Sequence, residues 1–149
     1  MNSIGPPSLR KTSRSLPIAL LRAREVVMEP VREMLGSTGV SEQKWRVLRV
    51  LDEDGPQEQT AIARNACLLL PSLTRILKAM ERDGLITRTE DRLDRRRSIV
   101  EIADKGRKIV LDHTEASNAL SQRLTDEFGE DELRQLLDLL NRLQDISLR

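Results

Sequence analysis

The chain has 149 residues, 38% of them hydrophobic and 33% charged, with a formal net charge of only +1 at pH 7. That length supports one domain, or one domain with an appended oligomerisation element. A single cysteine and a single histidine exclude an internal disulfide framework and leave too few soft ligands for an ordinary zinc site.

With one Trp, one Phe and no Tyr, the core must be aliphatic, which suits packed helices better than a β-sandwich. There is no P-loop or dinucleotide-binding glycine pattern, and any catalytic triad would rest wholly on His113, so neither an enzyme nor a cofactor is expected. No apolar run approaches the roughly 18–20 residues needed to cross a bilayer, and the first residues carry no signal core. A cytoplasmic protein without a membrane partner is expected.

Residues 1–15 are rich in Ser and Pro, carry Arg10, Lys11 and Arg14, and read as a flexible basic arm. Residues 16–36 are strongly apolar, with Ile18, Leu21, Val26 and Met34 among the candidate buried positions; Pro30 predicts a kink or a break. Ser41 is a good N-cap for a helix that Gly55-Pro56 stops. A short helix ends near Cys67, and a further one starts around Pro71, where the missing N–H does no harm. Gly84 sits where a left-handed C-terminal cap belongs. "LITRT" and "SIVEI" have strand character and flank a charged run, so 85–102 reads as a β-hairpin with a long tip. A helix opening near Asp104 runs to Gly129. Residues 130–147 then carry Leu133, Leu136, Leu137, Leu140, Leu143 and Ile146 as one apolar stripe. In a lone chain that stripe would be wet, which favours a homodimer whose first and last helices interlock over packing within one chain.

The fold class is therefore mainly α, an α+β winged helix-turn-helix: a lobe at 41–103 with a β-hairpin wing, a dimerisation helix at 16–36, and C-terminal dimerisation helices at 104–147.

Charge is divided unevenly along this order. Residues 71–97 hold eight Lys/Arg against five Asp/Glu, whereas 111–147 hold three against nine. One half thus seeks a polyanion and the other does not. On the helix from Pro71 to Asp83, Leu73, Ile76, Leu77 and Met80 fall on one stripe, with Arg75, Lys78 and Arg82 opposite and Ser72 and Thr74 on the flanks. A major groove admits one such helix. Ser72 and Thr74 are placed to hydrogen-bond phosphate or a base edge, Arg75 to read bases, and Lys78 and Arg82 to meet phosphates. An ordinary solvated face is the alternative. The hairpin that follows carries Arg95, Arg96 and Arg97, cations suited to a minor groove of concentrated negative potential. Asp94 beside them would fix the shape of the tip by accepting a hydrogen bond from a neighbouring arginine or the tip backbone.

Residues 60–106 resemble the MarR family of bacterial winged-helix regulators, through "LTRILKAMERDGLITR" (73–88), the Asp94-x-Arg96 wing motif and "VEIADKG" (100–106). Within that family, "IALLRARE" (18–25), "EQKWRVLRVL" (42–51) and "ACLLLPSLTRILKAMERDGL" (66–85) are similar to the homoprotocatechuate-degradation repressors, although Leu70 stands where that group tends to have arginine. The resemblance implies a dimeric repressor of double-stranded DNA with a pseudo-palindromic operator. It further implies a small phenolic or aromatic carboxylate effector bound between the dimer helices and the DNA-binding lobe.

For the effector, Arg24 is a candidate carboxylate partner, and Trp45, with Arg46 beside it, a candidate aromatic wall. The alternatives are an intersubunit salt bridge for Arg24 and a plain core position for Trp45. Cys67 reads as a small hydrophobe rather than a redox sensor, because nothing adjacent supplies a cation. His113 reads as an interface or surface residue rather than a ligand. The rival to a DNA regulator is a winged-helix protein-interaction module that holds its partner through the acidic leucine-rich helices.

Overall fold

The structure, a computed structural model, describes residues 5–94 and 97–149. Six α-helices and three short strands follow the order α1 (Leu16–Leu35), α2 (Glu42–Asp54), β1 (Gln57–Glu58), α3 (Gln59–Asn65), α4 (Leu70–Arg82), β2 (Ile86–Glu90), β3 (Ser98–Ile102), α5 (Asp104–Phe128) and α6 (Glu130–Gln144). The basic arm is exposed over residues 5–14, and Thr12–Arg14 form one 3₁₀ turn leading into α1.

Local chemistry sets most of the boundaries. The Ser41 hydroxyl accepts the Lys44 N–H at 3.2 Å, capping α2, and Gly55 ends that helix at φ 76°. Pro71 occupies the first turn of α4 behind Leu69, an N-cap that offers no side-chain acceptor. Gly84 at φ 76° lets Leu85 donate back to the Met80 carbonyl at 2.9 Å and turns the chain into β2.

The break expected at Pro30 does not occur; α1 runs through it. The ring costs one backbone donor and leaves the Val26 carbonyl without its helical partner, which does not end the helix; Val26 and Pro30 both line the groove between α1 and α5. Leu21 and Val26 are exposed rather than buried, and Leu35 alone on α1 is fully covered.

The sheet is antiparallel in the order β1-β3-β2, with Ile86 opposite Ile102 and Glu90 opposite Ser98. Residues alternate along it, so Ile86, Val100 and Ile102 cover the core while Thr87 and Glu101 face out. The strand β1 is too short to be seen in the sequence and exists because Gln57 and Glu58 pair with Val100 and Ile99.

The core lies inside the winged lobe: Leu48, Leu51, Ile62, Leu73, Leu77, Met80, Ile86 and Val100 are fully buried. The helix α6 buries nothing. Leu136, Leu137, Leu139 and Ile146 are exposed, as are Leu16, Leu20, Leu21 and Val27 on α1. Between α1 and α5 opens an apolar groove of about 530 Å³ that includes Val27, Leu120, Leu124 and Phe128.

Candidate nucleic-acid interface

The helix α4 sorts its side chains as its 3.6-residue period demands. Leu73, Leu77 and Met80 are buried, Ile76 is half-buried, and Arg75, Lys78 and Arg82 are exposed. Among the described residues, neither Arg75 nor Lys78 has a carboxylate within ion-pairing distance; Arg82 has Asp83 at 3.8 Å. An exposed row of cations with so little compensation attracts a polyanion.

Thr74 departs from its expected role. Its hydroxyl donates to the Leu70 carbonyl at 3.0 Å and accepts the Gln59 amide at 2.6 Å, so its one proton is committed within the lobe. Thr74 ties α4 to the start of α3 and has no proton left to give a phosphate. Ser72, half-buried on the opposite flank, keeps its place beside Arg75 in a notch between α4 and the start of α2.

The wing begins where β2 ends. The Asp91 N–H donates to the Arg97 carbonyl at 2.9 Å and the Arg97 N–H to the Asp94 carbonyl at 3.0 Å, closing the turn. The Asp91 carboxylate accepts the Leu93 N–H at 2.9 Å, an Asx-turn that leaves Leu93 almost fully exposed. Arg97 lies in the turn itself, one residue before β3 begins. Its guanidinium is 3.3 Å from the Glu58 carboxylate, so β1 supplies an acid that holds it to the lobe. Arg95 and Arg96 lie outside the described residues.

The residues expected to hold an effector serve three separate internal contacts. Arg24 donates to Glu42 at 2.7 Å within the same chain. Glu42 is also 3.5 Å from Arg32, and its side chain is 13% exposed. The hydrogen bond from Arg24, reinforced by the charges of Arg24, Arg32 and Arg46, holds the Glu42 carboxyl below the usual carboxylate range despite opposing desolvation. Trp45 is a core residue, 6% exposed, with the His113 ring edge-on at 6.0 Å and the Arg49 guanidinium 5.9 Å from its centroid. Arg46 donates to the Ala66 carbonyl at 2.9 Å and reaches the Cys67 carbonyl at 3.4 Å, which fastens α2 to the turn of the helix-turn-helix. Arg49 went unnoticed in the sequence, although its i+4 spacing from Trp45 places it on the same face.

Cys67 is exposed and takes a left-handed backbone, φ 53°, between α3 and α4, so it is a turn residue and not a buried hydrophobe. Among the described residues, no group of three or more His, Cys, Asp or Glu is arranged to hold a metal, and no helix is long and apolar enough to cross a membrane.

Comparison with known proteins agrees with this geometry. The MarR family model matches residues 40–98, from the cap of α2 to the start of β3. The HTH-type transcriptional regulator FarR of Neisseria gonorrhoeae is 33% identical, covering 89% of this chain and 90% of its own. The homoprotocatechuate degradative operon repressor of Escherichia coli is 34% identical, covering 85% of each. Among solved structures, NadR in complex with 4-hydroxyphenylacetate superposes with a TM-score of 0.80 at 32% identity, over 95% of this chain and 100% of NadR. The transcriptional repressor CouR, bound to a 23-mer DNA duplex, gives 0.79 at 30%, over 92% and 99%. With a winged lobe of this topology and such identity along nearly its whole length, the chain belongs to the MarR family.

Proposed function

We propose that this protein is a homodimeric, sequence-specific DNA-binding transcriptional regulator, a repressor released by a small phenolic or aromatic carboxylate. The observation that carries the reading is the exposed, largely uncompensated row of Arg75, Lys78 and Arg82 on a helix whose opposite face is locked into the core. That helix enters the major groove. Arg75 reads base edges, while Ser72, Lys78 and Arg82 meet phosphates. The wing carries Asp94, Arg95, Arg96 and Arg97 toward the adjacent minor groove, with Arg97 anchored on Glu58.

The dimer is formed by the apolar faces of α1, α5 and α6, because one chain leaves them uncovered. Residues 16–36 and 104–147 are thus the dimerisation elements and 41–103 the DNA-binding lobe. Twofold symmetry then sets two copies of α4 roughly 34 Å apart, matching a pseudo-palindrome.

The effector acts at the junction of α1 and α2. Arg24 bridges the two through Glu42, and an aromatic carboxylate such as the 4-hydroxyphenylacetate held by NadR competes for that guanidinium. Exchanging one carboxylate for another shifts the α1–α2 linkage, and a difference of a few kcal/mol between the two arrangements is enough to favour release.

Selection from a randomised duplex library, followed by salt titration, tests the DNA assignment. Affinity should fall steeply as salt rises. Arg75→Ala should relax sequence preference and Arg96→Ala should weaken binding to all sequences alike. Binding left unchanged by both substitutions would refute the residue assignments, and binding indifferent to salt would favour a protein-interaction module.

A further inference from the structure

The notch between α2 and α4, about 480 Å³, has one wall on the helix assigned to DNA and the other on α2, which has no such role so far. One wall is the stripe Ser72, Arg75 and Ala79 of α4; the other is Ser41 and Lys44 of the first turn of α2, with Arg46 behind. Lys44, Arg46 and Arg75 bring three cations to its lining, and no carboxylate joins them. Glu42, two residues before Lys44, faces a different hollow and is taken up by Arg24 and Arg32.

Two details point to an anion. Arg46 spends its Nη1 on the Ala66 and Cys67 carbonyls, yet its buried Nε has no hydrogen-bond partner. A buried donor of that kind is costly, and Glu42, whose charge Arg46 feels, makes no hydrogen bond to it. Lys44 is only 22% exposed, and its ammonium is held 3.8 Å from Asp83, a long contact that positions the charge without neutralising it at close range.

We propose that this notch seats a phosphate of the DNA backbone, with Lys44 as the cation that contacts it and Arg46 as the charge behind. The inference rests on the DNA-binding reading above. When α4 lies in the major groove with Arg75 toward the bases, its two flanks face the two phosphate walls, because the groove is only about 12 Å wide. On the Ser72–Ala79 flank, α2 stands beside α4, so the backbone on that side passes over the first turn of α2. A phosphate there meets Lys44 and the positive end of α2 together. The site gives register and affinity but reads no base.

The test measures salt-dependent binding of the intact protein to a mixed-sequence duplex about three helical turns long, for wild type, Lys44→Gln and Lys44→Glu. Lys44→Gln should lower affinity about tenfold, the contribution of one charge-assisted hydrogen bond. It should also reduce the slope of log affinity against log salt by about 0.9 and leave the sequence ranking in a library selection unaltered. Lys44→Glu should lose more, with thermal melting near wild type for both. If both variants keep wild-type affinity and slope while Arg75→Ala changes the ranking, the notch assignment is overturned and the DNA reading stands. If the wild-type protein itself shows no salt-dependent duplex binding, the DNA reading is overturned and the notch with it.

Discussion

Gly106→Ala probes the contact that fixes α5 against the winged lobe. Gly106 is buried in the first turn of α5. A methyl group there would fall well inside contact distance of the Leu85 carbonyl oxygen, 2.9 Å from Leu48 Cδ2 and 3.1 Å from Ile102 Cγ1. Helix propensity alone favours the change by about 1 kcal/mol, since glycine costs that much relative to alanine. Overpacking opposes it by roughly 1–3 kcal/mol. The upper end applies here because the Leu85 carbonyl cannot simply move. It accepts the Ala103 N–H at 3.0 Å, while the Leu85 N–H is bound to the Met80 carbonyl at 2.9 Å. The net expectation is a loss of about 2 kcal/mol, which at 2–4 °C per kcal/mol is a fall in Tm of about 4–8 °C. The assay is thermal and urea unfolding followed by circular dichroism at fixed protein concentration, because dimerisation makes Tm concentration-dependent. A variant as stable as wild type, or more so, would show that α5 withdraws from Leu85 at no cost and refute the reasoning.

Glu42 gives a pH-dependent counterpart. Its carboxyl titrates below the usual range in the folded chain, so its ion pairs contribute stability above the ordinary carboxylate pKa of about 4.3, and the contribution is lost as pH falls through the lower folded value. Glu42→Gln should therefore destabilise the protein at neutral pH, and the gap from wild type should close in acid; a gap constant down to the acid limit of folding would contradict the Arg24–Glu42–Arg32 arrangement as its origin. On α6, Leu137→Glu places a charge within the exposed leucine stripe, 52% exposed in a single chain. It should convert the dimer to monomer in analytical ultracentrifugation and abolish tight operator binding while leaving helix content unchanged. A dimer of wild-type affinity would remove α6 from the interface. Thr74→Val should lower stability by about 1 kcal/mol by breaking the Gln59 contact. It should leave the salt slope for DNA as it was, whereas a reduced slope would restore Thr74 to the phosphate contacts.

Much of this molecule could be read directly from residue order, because the determinants are local. The Ser41 cap, Pro71 in the first turn of α4, and glycines at 55, 84 and 129 taking positive φ each act within a few residues of themselves. The division of α4 into a buried Leu73–Leu77–Met80 stripe and a cationic face follows from helical period alone, which is why Arg75, Lys78 and Arg82 were legible as an exposed row. Contacts between distant segments were not legible, since no local rule specifies them. The strand β1 exists only through β3, and Arg97 is tied to the lobe only because Glu58 is brought beside it. Pro30 did not break α1, since the loss of one backbone donor leaves the rest of that helix's hydrogen bonds in place. Thr74 and Arg46 read in sequence as available to a ligand and are engaged instead by Gln59 and the Ala66 carbonyl, while Trp45 takes the core position that is its alternative reading. Residue order thus determined which helices form and where their charge lies; tertiary packing decided which polar groups remain available to a ligand, because burial forces each enclosed donor or acceptor to find a partner from elsewhere in the chain.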